Sequence, residues 1–230
     1  KYLPKLASAE LIGCFGLTEP DAGSNPGSVL TKAEKVSGGY KLNGNKMWIT
    51  NAEFADISYV YTRTGPNKKD LTTFIVEKGT PGFSFGKPIH KLGMRASPTG
   101  ELVFEDAKVP EENRVGKEGD STYHMMQNLE VERLTISGIS LGLAQACSDV
   151  SLRYANERKQ FGKTLGEHQM IQRMIAEMTT DTEMMRHFLY SACKMYDQGT
   201  QGKVLAAQVK LALPKMATRI GLDAIQLLGG

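Results

Sequence analysis

Apolar positions follow two different rhythms along this chain, and the change falls near residue 118. Before it, short apolar stretches alternate with turn punctuation. KVSGGYKLNGNKMWIT is followed by ISYVYTR, LTTFIVEK, GFSFGK and ELVFEDAKVP, with Gly, Pro and Asn clusters between them. Runs of this length and spacing predict an antiparallel β domain, sandwich or barrel, of roughly seven or eight strands. Gly38-Gly39 and Asn43-Gly44 read as hairpin turns. Neither a βαβ alternation nor a GxGxxG is found, so a Rossmann domain is not expected.

After Gly119 the rhythm lengthens to that of helices. Ser121 or Thr122 can cap a helix running to about Lys159. Gly162 and Gly166 interrupt it, and a second helix is predicted over roughly Glu167–Gln198, closed by Gly199. A third is predicted from near Gln201 to Leu228. Long helices with short connections predict an antiparallel bundle. The expected fold class is therefore α+β, a β domain over residues 1–118 and a helical bundle over residues 119–230, with no internal repeat.

Within the first helix, NLEVERL (Asn128–Leu134) carries two glutamates two residues apart, which point to different sides. On a helical wheel Glu132 shares a stripe with Met125, Leu129, Ile136, Ile139, Leu143 and Cys147, all apolar. Glu130 lies well round the helix, where Arg133 at i+3 can neutralise it. A carboxylate on an inward apolar face is costly unless it is paired, protonated or beside a ligand. Glu132 is thus either bridged to an Arg of another helix or a base with a raised pKa, and the pattern does not choose.

Composition narrows the function classes. The 230 residues are 40% apolar and 23% charged, enough for one large domain or two modest ones. A net charge of +3 without a basic run gives no support to a nucleic-acid partner. Cys14, Cys147 and Cys193 are odd in number and in no CxxC spacing, which fits a reducing compartment and no disulfide framework. His90, His124, His168 and His187 show no HxxxH spacing, so a metal site is not expected. No apolar run reaches the ~18 residues of a membrane span, and no signal-peptide pattern opens the chain. The sequence starts on Lys1 and stops on Gly229-Gly230 straight after an apolar helical pattern, so both ends are expected to be cuts in a longer protein.

Two loops carry candidate chemistry. Cys14–Asn25 (CFGLTEPDAGSN) runs from a strand into a loop rich in hydroxyls and exposed amides, suited to a ligand or simply to a connection. Lys46–Asn51 (KMWITN) holds the one tryptophan, a residue type that is usually core. The methionines of MMQN and EMMRHF read as helix core.

Together these segments resemble the acyl-CoA dehydrogenase family. LTEPDAGSN is similar to its TEPxAGS loop, MWITN to its WIT segment, NERKQFGKTLGEHQ (Asn156–Gln169) to its ERKxFGxxxxxHQ signature, and AIQLLGG (Ala224–Gly230) to its QxxGG stretch. The likeness runs through essentially the whole chain, in order. It implies FAD: Leu17, Thr18 and Ser24 would line the isoalloxazine and ribityl part, with Ser24 also reaching the substrate. Trp48 and Ile49 would flank the ring, and Thr50 would bond near N5. Arg158, Gln169, Gln226, Leu227, Leu228, Gly229 and Gly230 would hold pyrophosphate and adenosine, in the family those of a neighbouring subunit. An Arg fork suits a pyrophosphate, and glycines let backbone approach it.

The resemblance also bears on the two glutamates. A subset of the family, the isovaleryl-CoA and long-chain enzymes, carries its catalytic base on the first helix of the C-terminal domain, and LEVERL is similar to their LDLERL. Glu132 would then be the base, with Tyr123, Glu130 and Arg133 at the substrate, Glu130 replacing the family's Asp. The implied reaction is α,β-dehydrogenation of an acyl-CoA, isovaleryl-CoA before others, with electrons passed to an electron-transfer flavoprotein. The implied assembly is a homotetramer, in the mitochondrial matrix of a eukaryote or the cytoplasm of a bacterium. The alternatives are a long-chain substrate, a base on a late loop beyond the GG, and an inactive fragment or interaction module on the same scaffold. Gly138 and Gly142 are expected to permit close helix packing around the flavin.

Overall fold

The computed structural model describes residues 1–67, 70–200 and 202–230. It divides into two compact units, Lys1–Met125 and Met126–Gly230. In the first, a short helix α1 (Leu3–Ala7) precedes strands β1 (Gly13–Gly16), β2 (Lys32–Val36), β3 (Gly39–Thr50) and β4 (Ile57–Arg63). Strands β5 (Leu71–Glu77), β6 (Phe83–Phe85), β7 (Thr99–Pro110) and β8 (Arg114–Val115) follow. All join one eight-stranded sheet in the order β6-β7-β3-β2-β4-β5-β8, with β1 also on β4.

Most of these pairings are antiparallel, as the turn spacing predicts, but β1 and β2 both run parallel to β4. Strands joined by tight turns must be antiparallel; these two reach β4 through longer connections that lift the obligation. The tight turn expected at Gly38-Gly39 does fall between β2 and β3, on Ser37 and Gly38, with Gly39 already paired to Val36 as the first residue of β3. Asn43-Gly44 does not turn the chain. Strand β3 runs straight through it, with a register shift against β7 between Leu42 and Gly44. Glycine is needed there because a Cβ would stand 2.7 Å from the Thr31 Cα, at a φ of 141°. The core gathers Tyr40, Leu42, Val60, Phe74, Leu102 and Phe104, and β4 is buried on both faces at Val60 and Tyr61.

The second rhythm gives α2 (Ser121–Glu157), a small hairpin of β9 (Lys159–Gln160) and β10 (Lys163–Thr164), then α3 (Gln169–Asp197) and α4 (Gly202–Leu228). Gln201, where the third helix was expected to start, lies outside the described residues. Gly199 follows α3 at a φ of 70°, the left-handed conformation of a helix stop. Ser148 on α2 meets Thr182 on α3 and Gln145 meets Arg186, so these helices run antiparallel. Asp181 on α3 meets Arg219 on α4, and Tyr196 lies against Gly202, which makes that pair antiparallel too. Leu134, Leu141 and Ala144 of α2 pack with Met178, Met185, Val209, Leu213 and Ile220.

The inward face of α2 differs from the one the helical wheel suggests. Leu134, Ser137, Leu141, Ala144, Ser148 and Ser151 are buried, whereas Ile136, Ile139 and Leu143 are 38%, 51% and 55% exposed. Small side chains allow helix axes to approach closely, so packing chose the smaller stripe over the more apolar one. Glycines 138 and 142 are not contact points within the chain, since a Cβ at either meets nothing within 4 Å. The methionines divide: Met125 and Met185 are buried, while Met126 and Met184 are half exposed.

Candidate functional site

The segment Leu17–Ser24 leaves β1 and is fixed before it turns solventward. Thr18 O accepts from Met47 N at 2.8 Å, tying this segment to β3 one residue before Trp48. Leu17 O accepts from the Lys46 ammonium at 3.2 Å, and the Lys46 Nζ lies 2.7 Å from Glu19 Oε1. The same carboxylate accepts from Leu30 N at 2.5 Å and Thr31 N at 2.9 Å. Burial pushes the Lys46 ammonium down to about 8, with Glu19 opposing the fall. Burial likewise pushes the Glu19 carboxyl up, but Lys46, the Leu30 N–H group and the Thr31 side chain more than offset it, leaving it below its usual value. Leu17 is buried, Thr18 half-buried and Ser24 exposed, so the ligand-facing groups lie beyond the anchor.

Trp48 is not core. It is 55% exposed, with a φ of 63° that a bulky residue adopts only under constraint. The register against β7 steps from Lys46–Leu102 to Ile49–Gly100, so β3 carries one extra residue. Alternation would turn Lys46 and Trp48 to the same side; the extra residue instead leaves Lys46 and Ile49 buried and Trp48 outward. Thr50 is exposed and lines an apolar cavity of about 970 Å³ walled by Cys14, Phe15, Ile57 and Tyr59. An outward indole, hydroxyls on both segments and this apolar wall suit a flat heterocycle.

In the helical unit, antiparallel stacking places Arg158, Gln169 and Gln226–Gly230 at one end of the bundle, since α2 and α4 finish where α3 starts. Arg158, Gln169, Gln226 and Leu228 are exposed, whereas Leu227 is buried, so only the backbone of Leu227 can face a ligand. Gly229 and Gly230 take φ values of 104° and 107°. A guanidinium, two carboxamides and glycine backbone at one end form a donor set that suits phosphate oxygens.

Toward the other end of α2 the two glutamates separate. Glu130 is drawn to Lys203 of α4 at 3.1 Å, not to Arg133, because its side chain lies on the inner flank of the helix where α4 begins. Glu132 stands exposed beside Ile136, Ile139 and Leu143, and none of the ion pairs among the described residues includes it. Arg133 is half-buried and Tyr123 exposed.

Sequence reasoning missed three parts of these sites. Glu19 and Lys46 stood inside the quoted motifs, and the signal was a lone lysine at an inward-facing strand position. Phe161, also inside a motif, is 93% exposed at the tip of the β9–β10 hairpin, where it and Gly162 have φ values of 54° and 79°. A large aromatic in a left-handed turn position is costly, and here its ring stands edge-on to His168 with centroids 6.2 Å apart.

Residues 14–107 match the family described as acyl-CoA dehydrogenase, middle domain, and residues 122–230 match acyl-CoA dehydrogenase, C-terminal domain. The chain belongs to the acyl-CoA dehydrogenase family. It is 47% identical to the mitochondrial isovaleryl-CoA dehydrogenase of Oryza sativa subsp. japonica, over all of this chain and 57% of that protein. The chain therefore spans little more than half the length of this curated relative. Among solved structures of the family, butyryl-CoA dehydrogenase from Megasphaera elsdenii superposes with a TM-score of 0.94 at 38% identity, over all of this chain and 61% of that one. A structure described as the FAD complex of PigA superposes with a TM-score of 0.92 at 37% identity, over all of this chain and 60% of that one.

Proposed function

We propose that the protein carrying this chain is an FAD-dependent acyl-CoA dehydrogenase acting on a short branched acyl-CoA, isovaleryl-CoA first, with Glu132 as the base. The observation that carries the assignment is the split between the glutamates: Glu130 is held by Lys203, while Glu132 stands on an outward apolar stripe. A base must be able to reach a substrate proton, and an apolar surround that excludes water on substrate binding favours its uptake.

Glu132 removes the α-proton of the thioester. FAD, when bound, supplies the two-electron acceptor that takes the β-hydrogen as hydride. Trp48, Thr50, Thr18 and Ser24 would orient the ring system, and Ser24 would extend to the acyl side. Arg158, Gln169 and Gln226–Gly230 would hold the pyrophosphate and adenosine, in an assembly of four copies in which a site of one subunit serves the cofactor of its neighbour. Tyr123, Glu130 and Arg133 would form the substrate rim. The strand unit thus serves flavin and substrate and the helical unit supplies the base and the phosphate end. Electrons would leave to an electron-transfer flavoprotein, in the mitochondrial matrix of a eukaryote or the cytoplasm of a bacterium.

The test is anaerobic bleaching of the flavin visible band in the intact protein with isovaleryl-CoA, for wild type and Glu132→Gln. The expected loss in the variant is roughly 10²- to 10⁴-fold in rate, with FAD and ligand still bound. Normal bleaching by Glu132→Gln moves the base to another residue. Bleaching of wild type by long straight chains alone keeps the reaction and overturns the substrate.

A further inference from the structure

Two buried charges of the strand unit take no part in the proton transfer. The side chains of Glu19 and Lys46 are 4% and 0% exposed. Taking both charges out of water is expensive, and a packed apolar pair of similar volume is commonly as stable. Stability alone is therefore a weak reason for this pair, and its connections suggest another.

The Glu19 carboxylate receives three donors from two places: the Lys46 ammonium on β3, and the N–H groups of Leu30 and Thr31 where the loop returns toward β2. Lys46 in turn holds Leu17 O at the exit of β1. One charged centre thus joins the start of the loop, its end and the strand beside it. Its place along β3 matters as much. Lys46 is the last inward residue before the bulge, and a slip by one residue would carry its charge out of the core. An apolar side chain there would tolerate such a slip; an ammonium with two specific acceptors does not.

We propose that the Glu19–Lys46 pair is a positioning device that fixes the bulge turning Trp48 outward and holds the Thr18–Ser24 loop against it, presetting the seat of the flavin ring. The inference rests on reading this face as a flavin site. Glu19 and Lys46 touch neither ring nor substrate in this account; they act through the backbone of residues 17–18 and 46–48. An uncharged replacement of the pair is expected to leave a folded unit whose loop and bulge are no longer locked to each other by an ammonium.

The test compares apoprotein prepared from the intact protein in three forms: wild type, the double variant Glu19→Gln/Lys46→Met, and Val109→Ala. The double variant leaves no unpaired buried charge and so isolates positioning from folding. Val109 lies in the same core on β7, opposite Tyr40 at the far end of β3 from the bulge, and reports the effect of lost core packing alone. FAD affinity is read by fluorescence titration, and the visible circular dichroism of the bound flavin reports its orientation. The double variant is expected to bind FAD at least tenfold more weakly and to change the visible dichroism, while Val109→Ala stays within twofold of wild type with an unchanged spectrum. Binding within twofold and an unchanged spectrum in the double variant would overturn the proposal. So would an equal loss in Val109→Ala, which would make the effect one of general packing. If wild-type apoprotein takes up no FAD, the flavin reading of the site fails, and this inference falls with it.

Discussion

In the strand unit the candidate cofactor contacts are tied down by the protein's own interior: Thr18 is bonded to Met47, and beneath both lies the Glu19–Lys46 pair. At the end of the helical bundle, Arg158, Gln169 and Gln226 instead stand exposed on helix termini. The first region spends buried charge and a left-handed tryptophan to hold one arrangement in advance; the second keeps long polar side chains available. On the proposed reading, the difference teaches that a ring with a defined orientation needs a rigid seat, whereas phosphate oxygens can be met by side chains that settle on arrival.

The sharpest way to break this comparison is to remove one partner of the buried pair. Lys46→Met leaves the Glu19 carboxylate unpaired in the core and should cost about 3–5 kcal/mol, measured by denaturant unfolding. Arg158→Met, at the exposed end, should change stability by no more than about 0.5 kcal/mol. It should instead weaken FAD binding by about 1.5–3 kcal/mol, as loss of a charge-assisted hydrogen bond does.

The two stripes of α2 offer a second contrast. Leu134→Ala, in the buried stripe, should cost about 2–5 kcal/mol in thermal or denaturant unfolding. Ile139→Ala, in the exposed stripe, should stay within about 0.5 kcal/mol while altering substrate affinity.

Acid should act on the strand region through Glu19. The Glu19 carboxyl titrates below its unfolded value of 4.5, so its contribution is full above that pH and is lost as pH falls through the lower folded value. Lys46 works in the opposite sense: its ammonium is pushed from 10.5 to about 8, so the unfolded chain alone holds that proton between these values. Its contribution accordingly rises with pH across that window. Unfolding midpoints of wild type and the double variant, followed over both windows, should diverge in these directions. The smallest effect is expected of Lys203→Ala, whose side chain is 83% exposed; the pair with Glu130 should be worth about 0–1 kcal/mol and less in salt.

Much of this was legible in the sequence, and the misses have physical causes. The strands ISYVYTR and LTTFIVE emerge where their residue pattern places them, because alternation and turn residues act locally. Asn43-Gly44 misled because the same dipeptide serves a hairpin and a close backbone crossing, and only Thr31, distant in sequence, tells them apart. The wheel misjudged α2 because hydrophobicity names which residues avoid water, not which stripe the neighbouring helices can approach. Residue type alone makes Trp48 core, and only the family resemblance sets it beside a ring; the bulge that exposes it lies in the register of two strands, which no single segment encodes. Glu19 and Lys46 were hidden for the same reason, being separated by a loop and meaningful only as a pair.

The outward indole also makes the chain its own optical gauge. Trp48 is the one tryptophan in this sequence, so its ultraviolet emission comes from a single known point on the bulge. Solvent contact should shift that emission to the red, and a flavin settling over it should drain the excited state by energy transfer. On the proposed reading of the site, arrival of the cofactor can then be timed at Trp48 itself, without a label.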